Sequence, residues 1–218
     1  MKKRILNVFT ILAIAITVVG CKKAKEASTS EAEAAAVSEI TTQKYVTDVT
    51  KSSIEWKGFK PTGAHNGSIN IDTGVFQVDN GTIQSGTFLI DMNSITVLDI
   101  PADDEGNGKL LGHLKSADFF DVENNSDSAF EITSVSEANG KTMLAGNLSI
   151  KGIKNNITFP VNITTKGETL TISSEAFTID RTLWDIKYKS KSVFGDLGDK
   201  FINDEMELKI NVVAFKKA

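Results

Sequence analysis

The chain has 218 residues, and its 24 lysines and arginines stand against 28 aspartates and glutamates, for a formal net charge of −4 at pH 7. This length suits one globular domain with flanking segments. The acidic balance, with no basic cluster in the part expected to fold, argues against nucleic acid as a partner. The single cysteine excludes a disulfide framework within the chain.

The first twenty residues have the layout of a secretory signal. A basic head at residues 2–4 precedes an apolar run over residues 5–19, and Gly20 follows it. The run is shorter than the ~20 residues that a membrane-spanning helix needs. Cys21 comes next, and the Val-Val-Gly-Cys sequence at residues 18–21 resembles a bacterial lipobox, in which the cysteine thiol receives a diacylglyceryl group. We therefore predict a lipoprotein signal peptide over residues 1–20 and a lipid anchor on Cys21.

The residue after the cysteine indicates where the anchored protein resides. Lys22 is basic, and by resemblance to known lipoprotein sorting a non-acidic residue at this position favours the outer membrane over the inner one. The sequence has no second apolar segment of spanning length. The prediction is a cell-envelope protein on the outer membrane, facing the periplasm, with its acyl chains as the membrane attachment.

Residues 21–43 have the composition of a flexible tether. They are rich in Ala, Ser, Thr, Glu and Lys and contain no aromatic residue. Such a segment buries too little apolar surface to offset the entropy lost on ordering. We expect a lipidated tether over residues 21–43, with transient helix at residues 31–38, and one folded domain over residues 44–218.

Beyond residue 44, apolar and polar residues alternate with a period of two. Met206, Leu208, Ile210 and Val212 fall on one face of a segment whose other face is polar. Turn signals such as the Asn-Gly pair at residues 139–140 separate similar segments at hairpin spacing. Successive hairpins with one apolar face predict an all-β barrel or sandwich. Pro160 lies inside one strand pattern, so it should fall at an edge or bulge.

Two segments break this period. In residues 103–116, Leu110, Leu111 and Leu114 follow an acidic start at helical spacing, and residues 181–186 form a short turn that carries Leu183 and Trp184. Neither segment is long enough to be stable as an isolated helix, so each must dock its apolar residues on the strands. In a closed barrel, such helices cover the open ends.

Several motifs together resemble the YceI-like family. They are HLKSADFFDV at residues 113–122, FEIT at 130–133, GNLSIKGIKNNITFPV at 146–161, FTIDRTLWDI at 177–186 and an acidic strand start at 202–205. Their order and spacing match the family from about residue 44 to residue 215. The resemblance implies an eight-stranded antiparallel barrel, similar to lipocalins, with short capping helices and a long apolar cavity.

The resemblance also implies a function. Members of the family bind polyisoprenoid chains such as isoprenoid quinones, or related amphipathic lipids, in the periplasm, without catalysis and without a required cofactor. This sequence would be a lipoprotein member. It differs from the common pattern in its lipobox, in the first hairpin at residues 63–67 and in an inserted acidic segment at residues 103–108. The last two differences lie near the expected position of a ligand headgroup.

The candidate cavity residues are apolar side chains of the predicted strands and short helices. They are Trp56, Phe76, Phe88, Ile90, Leu111, Leu114, Phe119, Phe120, Phe130, Ile132, Leu148, Ile150, Phe159, Phe177, Ile179 and Trp184. Of the adjacent Phe119 and Phe120, we expect one to fix the short helix against the outside of the strands and the other to enter the barrel mouth. An eight-stranded barrel either fills itself with side chains or holds one small ligand. A filled, purely structural barrel therefore stays open as an alternative.

The polar candidates are few. His65 and His113 show no ligand spacing typical of a metal site, so we predict no metal. Together with Arg181 they are candidate headgroup contacts, although the pair Asp180-Arg181 is most simply an ion pair or a cap that fixes the second short helix. The sequence has no Gly-x-Ser-x-Gly elbow. An enzyme that uses one of the histidines is the weaker alternative to a binding protein.

Overall fold

The computed structural model describes residues 24–38 and 42–217. The predicted signal peptide and Cys21 lie outside the described residues. Within them, twelve strands, one α-helix and two 3-10 helices form an all-β fold, which confirms the predicted fold class. The strands are β1 (Lys25–Glu26), β2 (Ser28–Glu31), β3 (Gln43–Thr47), β4 (Ser53–Lys60), β5 (Gly63–Asp79), β6 (Thr82–Asp91), β7 (Asp127–Ala138), β8 (Lys141–Ile150), β9 (Ile153–Lys166), β10 (Thr169–Ser173), β11 (Phe177–Asp180) and β12 (Glu205–Lys216). The helices are α1 (Glu105–Lys115) and the 3-10 helices Met92–Ser94 and Arg181–Trp184.

The sheet closes into a ring through β12. Strands β5 to β9 form an antiparallel meander, β10 pairs with both β9 and β12, and β12 also pairs with β11, β3 and β4. Since β3 and β4 pair with successive parts of both β5 and β12, they act as two halves of one broken strand. Strands β10 and β11 pair with successive parts of β12 in the same way. The ring therefore has the eight positions predicted, but two of them are interrupted.

Serine side chains bridge both interruptions. The backbone N–H of Val213 donates to Ser52 Oγ at 3.0 Å, beside the break between β3 and β4. The N–H of Ile210 donates to Ser174 Oγ at 3.0 Å, beside the break between β10 and β11. Each hydroxyl replaces a missing partner of β12, so the ladder loses no buried donor where the chain leaves the strand.

The N-terminal segment forms part of the sheet. Strand β1 pairs in parallel with β11, and β2 pairs antiparallel with β9, opposite Ile157 and its neighbours. Ala27, between them, is buried. Further on, Glu33 exchanges two hydrogen bonds with the side-chain amide of Asn147, at 2.9 and 2.7 Å. The prediction of a tether without fixed structure over residues 21–43 is wrong for this part of it.

The reason for this difference is the pairing of strand edges. Strand β10 pairs with residues 162–166 of β9 and leaves residues 155–158 open, while β11 pairs only with β12 on its other side. Small Ser, Thr and Ala side chains fit this seam between β9 and β11, and backbone hydrogen bonds hold them there. The tether prediction rested on the small apolar area of this segment, whereas backbone pairing holds it to the sheet. Residues 32–38 show neither helix nor strand, in contrast to the predicted transient helix.

Pro160 lies at a gap in the strand pairing along one edge of β9, as predicted. It pairs with Met143 of β8, and on the other side of β9 the partner strands reach only residues 155–158 and 162–166. No neighbouring strand requires a backbone donor from residue 160, so the proline costs no ladder hydrogen bond.

Both short helical segments form and begin with aspartate caps. Asp104 accepts a hydrogen bond from Gly106 N at 2.7 Å at the start of α1, and Asp180 accepts from Thr182 N at 2.8 Å at the start of the 3-10 helix. Asp180 is thus a cap, one of the two predicted roles. The hairpin of β8 and β9 lies beside both segments. Lys151 Nζ, in its turn, donates to the carbonyl of Ala117, just after α1, at 3.4 Å, and the Asn155 side chain, near the start of β9, donates to the carbonyl of Leu183 at 3.0 Å. We call this end of the ring the helix end.

The ring encloses a single apolar core. Phenylalanine rings occupy its middle, and the stacked pair Phe159 and Phe177 have centroids 4.1 Å apart. Glycine makes room for another ring, since a Cβ at Gly146 would lie 2.3 Å from Phe130 Cζ. In the part of the chain that the structure describes, no helix is long and apolar enough to cross a membrane.

Candidate ligand-binding site

Three spaces follow one another through the ring towards the helix end. The innermost, which we call the interior cavity, measures about 80 Å³ and is lined only by aliphatic and phenylalanine side chains. The second, the neck, measures about 50 Å³ and shares Ile54, Ile90, Leu148 and Leu208 with the interior cavity. The third, the mouth, measures about 550 Å³ and shares Trp56 with the neck. Polarity thus rises in one direction, from an apolar interior to a mixed mouth.

Three parts of the chain build the mouth. The end of β4 and the start of β5 contribute one side, including Phe59, Lys60 and His65, and α1 contributes Leu110, His113 and Leu114. The third side is the loop between the 3-10 helix Arg181–Trp184 and β12. This loop brings six residues to the rim: Tyr188, Lys189, Asp199, Lys200, Phe201 and Ile202.

Arg181 holds this loop in place from below. Its guanidinium donates to the backbone carbonyls of Ile186 (2.6 Å), Tyr188 (3.0 Å), Ile202 (3.1 Å) and Asn203 (3.0 Å). The side chain is only 4% exposed. Burial lowers the pKa of Arg181, although the neighbouring carboxylates of Asp204 and Asp180 oppose this change. Arg181, which the sequence offered as a headgroup contact, is instead committed to four carbonyls beneath the mouth.

His65 lies at the rim in a chain of hydrogen bonds. Its Nδ1 is 2.7 Å from Asp99 Oδ2, and its Nε2 is 3.2 Å from Lys60 Nζ. Because an ammonium only donates, Nε2 is the accepting nitrogen and Nδ1 carries the proton that is donated to Asp99. Burial by itself would raise the pKa of Asp99, but hydrogen bonds from the Asn66 backbone N–H and from His65 outweigh it, and the pKa is lowered.

His113 belongs to an aromatic cluster on the other side of the mouth. Its ring meets Phe119 edge-on at 5.0 Å between centroids and Tyr188 at 4.6 Å, and its Nε2 is 3.1 Å from Asp118 Oδ2. The described residues contain no group of three or more His, Cys, Asp or Glu side chains that could hold a metal ion.

Phe119 and Phe120 occupy different spaces. The Phe119 ring lines the mouth, and the Arg181 guanidinium carbon lies 5.8 Å from its centroid. Phe120 lines the neck, deeper in the ring. Both side chains are buried. The expectation of separate roles therefore has a structural counterpart, but both rings face the path through the ring, and neither is placed as a wedge on the outside of the strands.

The other candidates divide between lining and packing. The residues that line one of the three spaces are Trp56, Phe88, Ile90, Leu114, Phe130, Leu148, Ile150, Phe159 and Phe177. Those that pack in the core without lining them are Phe76, Ile132, Ile179 and Trp184, while Leu111 is half-buried against the core. Trp184 is held in the core by the hydrogen bond from its Nε1 to the Leu148 carbonyl, at 3.0 Å.

The sequence candidates omitted two groups of lining residues. Ile54, Leu208, Ile210 and Val212 line the interior cavity, and their period-two pattern was the available signal. The mouth residues Tyr188, Lys189, Lys200, Phe201 and Ile202 belong to a loop. Its sequence has no periodicity to indicate which side chains face the ligand path.

The chain forms a closed, mainly antiparallel ring with an apolar interior and a mixed mouth, an architecture that either fills itself with side chains or holds one small ligand. Residues 45–214 match the model of the YceI-like domain. The match covers most of the chain, so the chain belongs to the YceI-like domain family. No curated protein matches the sequence.

Solved structures share the fold. A crystal structure of BcnA from Burkholderia cenocepacia is 21% identical, covers 77% of this chain and 98% of its own, and has a TM-score of 0.61. A polyisoprenoid-binding domain from Saccharophagus degradans, implicated in plant cell wall breakdown, is 12% identical, covers 81% of this chain and 100% of its own, and has a TM-score of 0.56.

Proposed function

We propose that the protein is a non-catalytic carrier of a long-chain lipid of the polyisoprenoid type, of which an isoprenoid quinone is one example. The observation that carries the proposal is the polarity gradient along one path, with an interior cavity and a neck lined mainly by apolar side chains beneath a mixed mouth. The tail lies in the ring and the headgroup stays at the mouth. The likeness to a polyisoprenoid-binding domain supports the same ligand class.

The dimensions of the path restrict the ligand. The interior cavity of about 80 Å³ is smaller than the roughly 300 to 1,000 Å³ of common small-molecule sites. A chain can enter only when the side chains around the neck move apart, and a narrow chain requires less movement than a fused-ring system. A single flexible isoprenoid or acyl chain therefore fits the ring better than a sterol.

The same small volume favours one other function, a structural barrel with a filled core. The two functions differ in what the purified protein contains. A chain that starts at Lys22 keeps every described residue and lacks the predicted anchor. Organic extraction and mass spectrometry of this protein should yield a long-chain lipid at up to one per chain. An empty extract, together with no binding of added farnesol, would favour the filled barrel.

We further propose that Cys21 anchors this carrier to the outer membrane, facing the periplasm. Burial of acyl chains contributes about 0.8 kcal/mol per methylene, so the anchor should dominate the membrane affinity. Replacing Cys21 with Ser should therefore move the protein from the membrane fraction to the soluble fraction. A Cys21→Ser protein that still sediments with membranes would contradict the anchor.

A further inference from the structure

We infer that the mouth recognises an acidic headgroup, a phosphate or a carboxylate, on the apolar chain that the ring holds. The inference rests on the proposed function and adds the chemical class of the headgroup. It concerns three lysines at the rim of the mouth, Lys60, Lys189 and Lys200.

The charge around the mouth is opposite in sign to the net charge of the chain. The whole chain is acidic, with a formal net charge of −4. The lining of the mouth reverses this balance, because it contains three lysines and one carboxylate, Asp199. Cationic side chains around a partly enclosed space raise the local concentration of anions and strengthen their binding.

Among the described residues, the three mouth lysines form no ion pair. Elsewhere lysines pair with carboxylates, as Lys154 does with Glu131 at 2.6 Å. Within residues 24–38 and 42–217, none of the three mouth lysines has a carboxylate oxygen within 4.0 Å. Lys60 donates to a neutral histidine nitrogen, and Lys189 Nζ lies 5.3 Å from the centroid of the Tyr188 ring.

Two carboxylates near the mouth, those of Asp99 and Asp118, are already engaged by histidines, whereas Asp199 lines the mouth itself. Asp99 accepts from the backbone of Asn66 through Oδ1, at 2.8 Å, and from His65 through Oδ2. On the other side of the mouth, Asp118 contacts His113. His65 and His113 line the mouth, whereas Asp99 and Asp118 do not. An anion that enters the mouth therefore faces three ammonium groups and one carboxylate, that of Asp199.

The apolar path separates this site from a general anion-binding surface. Trp56 lines both the mouth and the neck, so a headgroup near the lysines leaves its chain directed towards the neck. An anion without a chain gains none of the apolar burial that the interior provides. The ligand class is therefore an amphiphile with one acidic end.

The test compares three ligands with the same C15 chain, farnesyl phosphate, farnesoic acid and farnesol, by isothermal titration calorimetry with the chain that starts at Lys22. We expect at least one of the two acidic ligands to bind about tenfold tighter than farnesol at low ionic strength, and the ratio to fall as salt screens the lysines. The acid with the higher affinity distinguishes a phosphate from a carboxylate headgroup.

Variants then locate the charge recognition. Lys189→Gln and Lys200→Gln should each reduce the ratio of acidic-ligand affinity to farnesol affinity by up to about fivefold, as expected for a partly exposed charge. Lys166→Gln, at the end of β9, is the control and should have no effect on this ratio.

The outcomes separate the two proposals. Equal affinity for all three ligands would overturn the acidic headgroup and leave the carrier function standing. An acidic preference that is undiminished in both mouth variants would overturn the assignment to these lysines. Failure of all three ligands to bind would refute the carrier function itself.

Discussion

Arg181 contributes both to the stability of the fold and to the shape of the mouth. Its guanidinium joins the two ends of the loop that carries Tyr188, Lys189 and Lys200, because its acceptors lie at residues 186, 188, 202 and 203. Replacing Arg181 with Met keeps an apolar stem of similar length and removes every donor. Four carbonyls lose their partner, and the loop loses the group that ties its ends together.

The expected cost follows from these four bonds. Hydrogen bonds to a charged group contribute about 1.5 to 3 kcal/mol each, but the buried charge carries a desolvation penalty that the Met variant no longer has. Burial lowers the pKa of Arg181, which shows that penalty. Arg181 also pairs with Asp204, at 3.7 Å between Nη2 and Oδ1, so the range for removing one partner of a buried ion pair, about 3 to 5 kcal/mol, is the better guide. This loss is a large part of the roughly 5 to 15 kcal/mol that stabilises a domain.

Urea unfolding of the chain that starts at Lys22 measures this loss. The matched control is Lys187→Met in the same loop, whose exposed ion pair with Asp185 should contribute less than about 1 kcal/mol. Arg181→Lys should recover only part of the loss, since an ammonium has three donors and lacks the planar fork. If Arg181→Met loses less than about 1 kcal/mol, the four bonds do not hold the loop and the reasoning fails.

Three other predictions test separate parts of the structure. Phe120→Ala should lower the free energy of unfolding by about 3 to 5 kcal/mol because the ring is buried in the neck, whereas Phe119→Ala, at the open mouth, should lose less stability and release bound lipid faster. Deleting residues 22–38 should lower the free energy of unfolding by about 2 to 4 kcal/mol, because the seam and the buried amide of Asn147 lose their hydrogen-bond partners. Asp99→Asn should reduce the fall in the free energy of unfolding in acid. The pKa of Asp99 is lowered on folding, so its carboxylate stabilises the fold above the unfolded pKa of about 3.9, and this contribution is lost as pH falls through the folded pKa.

Each of these predictions has a definite measurement and an opposing result. Thermal melting and lipid retention test the phenylalanines, and equal effects of the two substitutions on both quantities would contradict separate roles. Denaturant unfolding tests the deletion, and an unchanged midpoint would mean that β1 and β2 only rest on the sheet. Unfolding free energies between pH 3 and pH 7 test Asp99, and a wild-type slope in the Asn variant would exclude its contribution.

Elements that depend on neighbouring residues along the chain could be predicted from the sequence. The period of two marked the apolar face of β12. An acidic start and the pair Asp180-Arg181 marked the two short helices, and the structure shows Asp104 and Asp180 as their caps. The resemblance to the YceI-like family added the ring and its order. The strand pattern and the helix caps can be predicted from sequence because each depends on residues only a few positions apart.

The seam between β9 and β11 and the mouth depend instead on contacts between residues far apart in the chain. The N-terminal segment is ordered by Asn147, which is 114 positions from Glu33, and by two strand edges that become open only when the ring closes. Arg181 became a support for the loop rather than a ligand contact because backbone carbonyls as far away as Asn203 converge on it. Carbonyl groups belong to every residue, so a sequence carries no mark of which of them a buried guanidinium will meet.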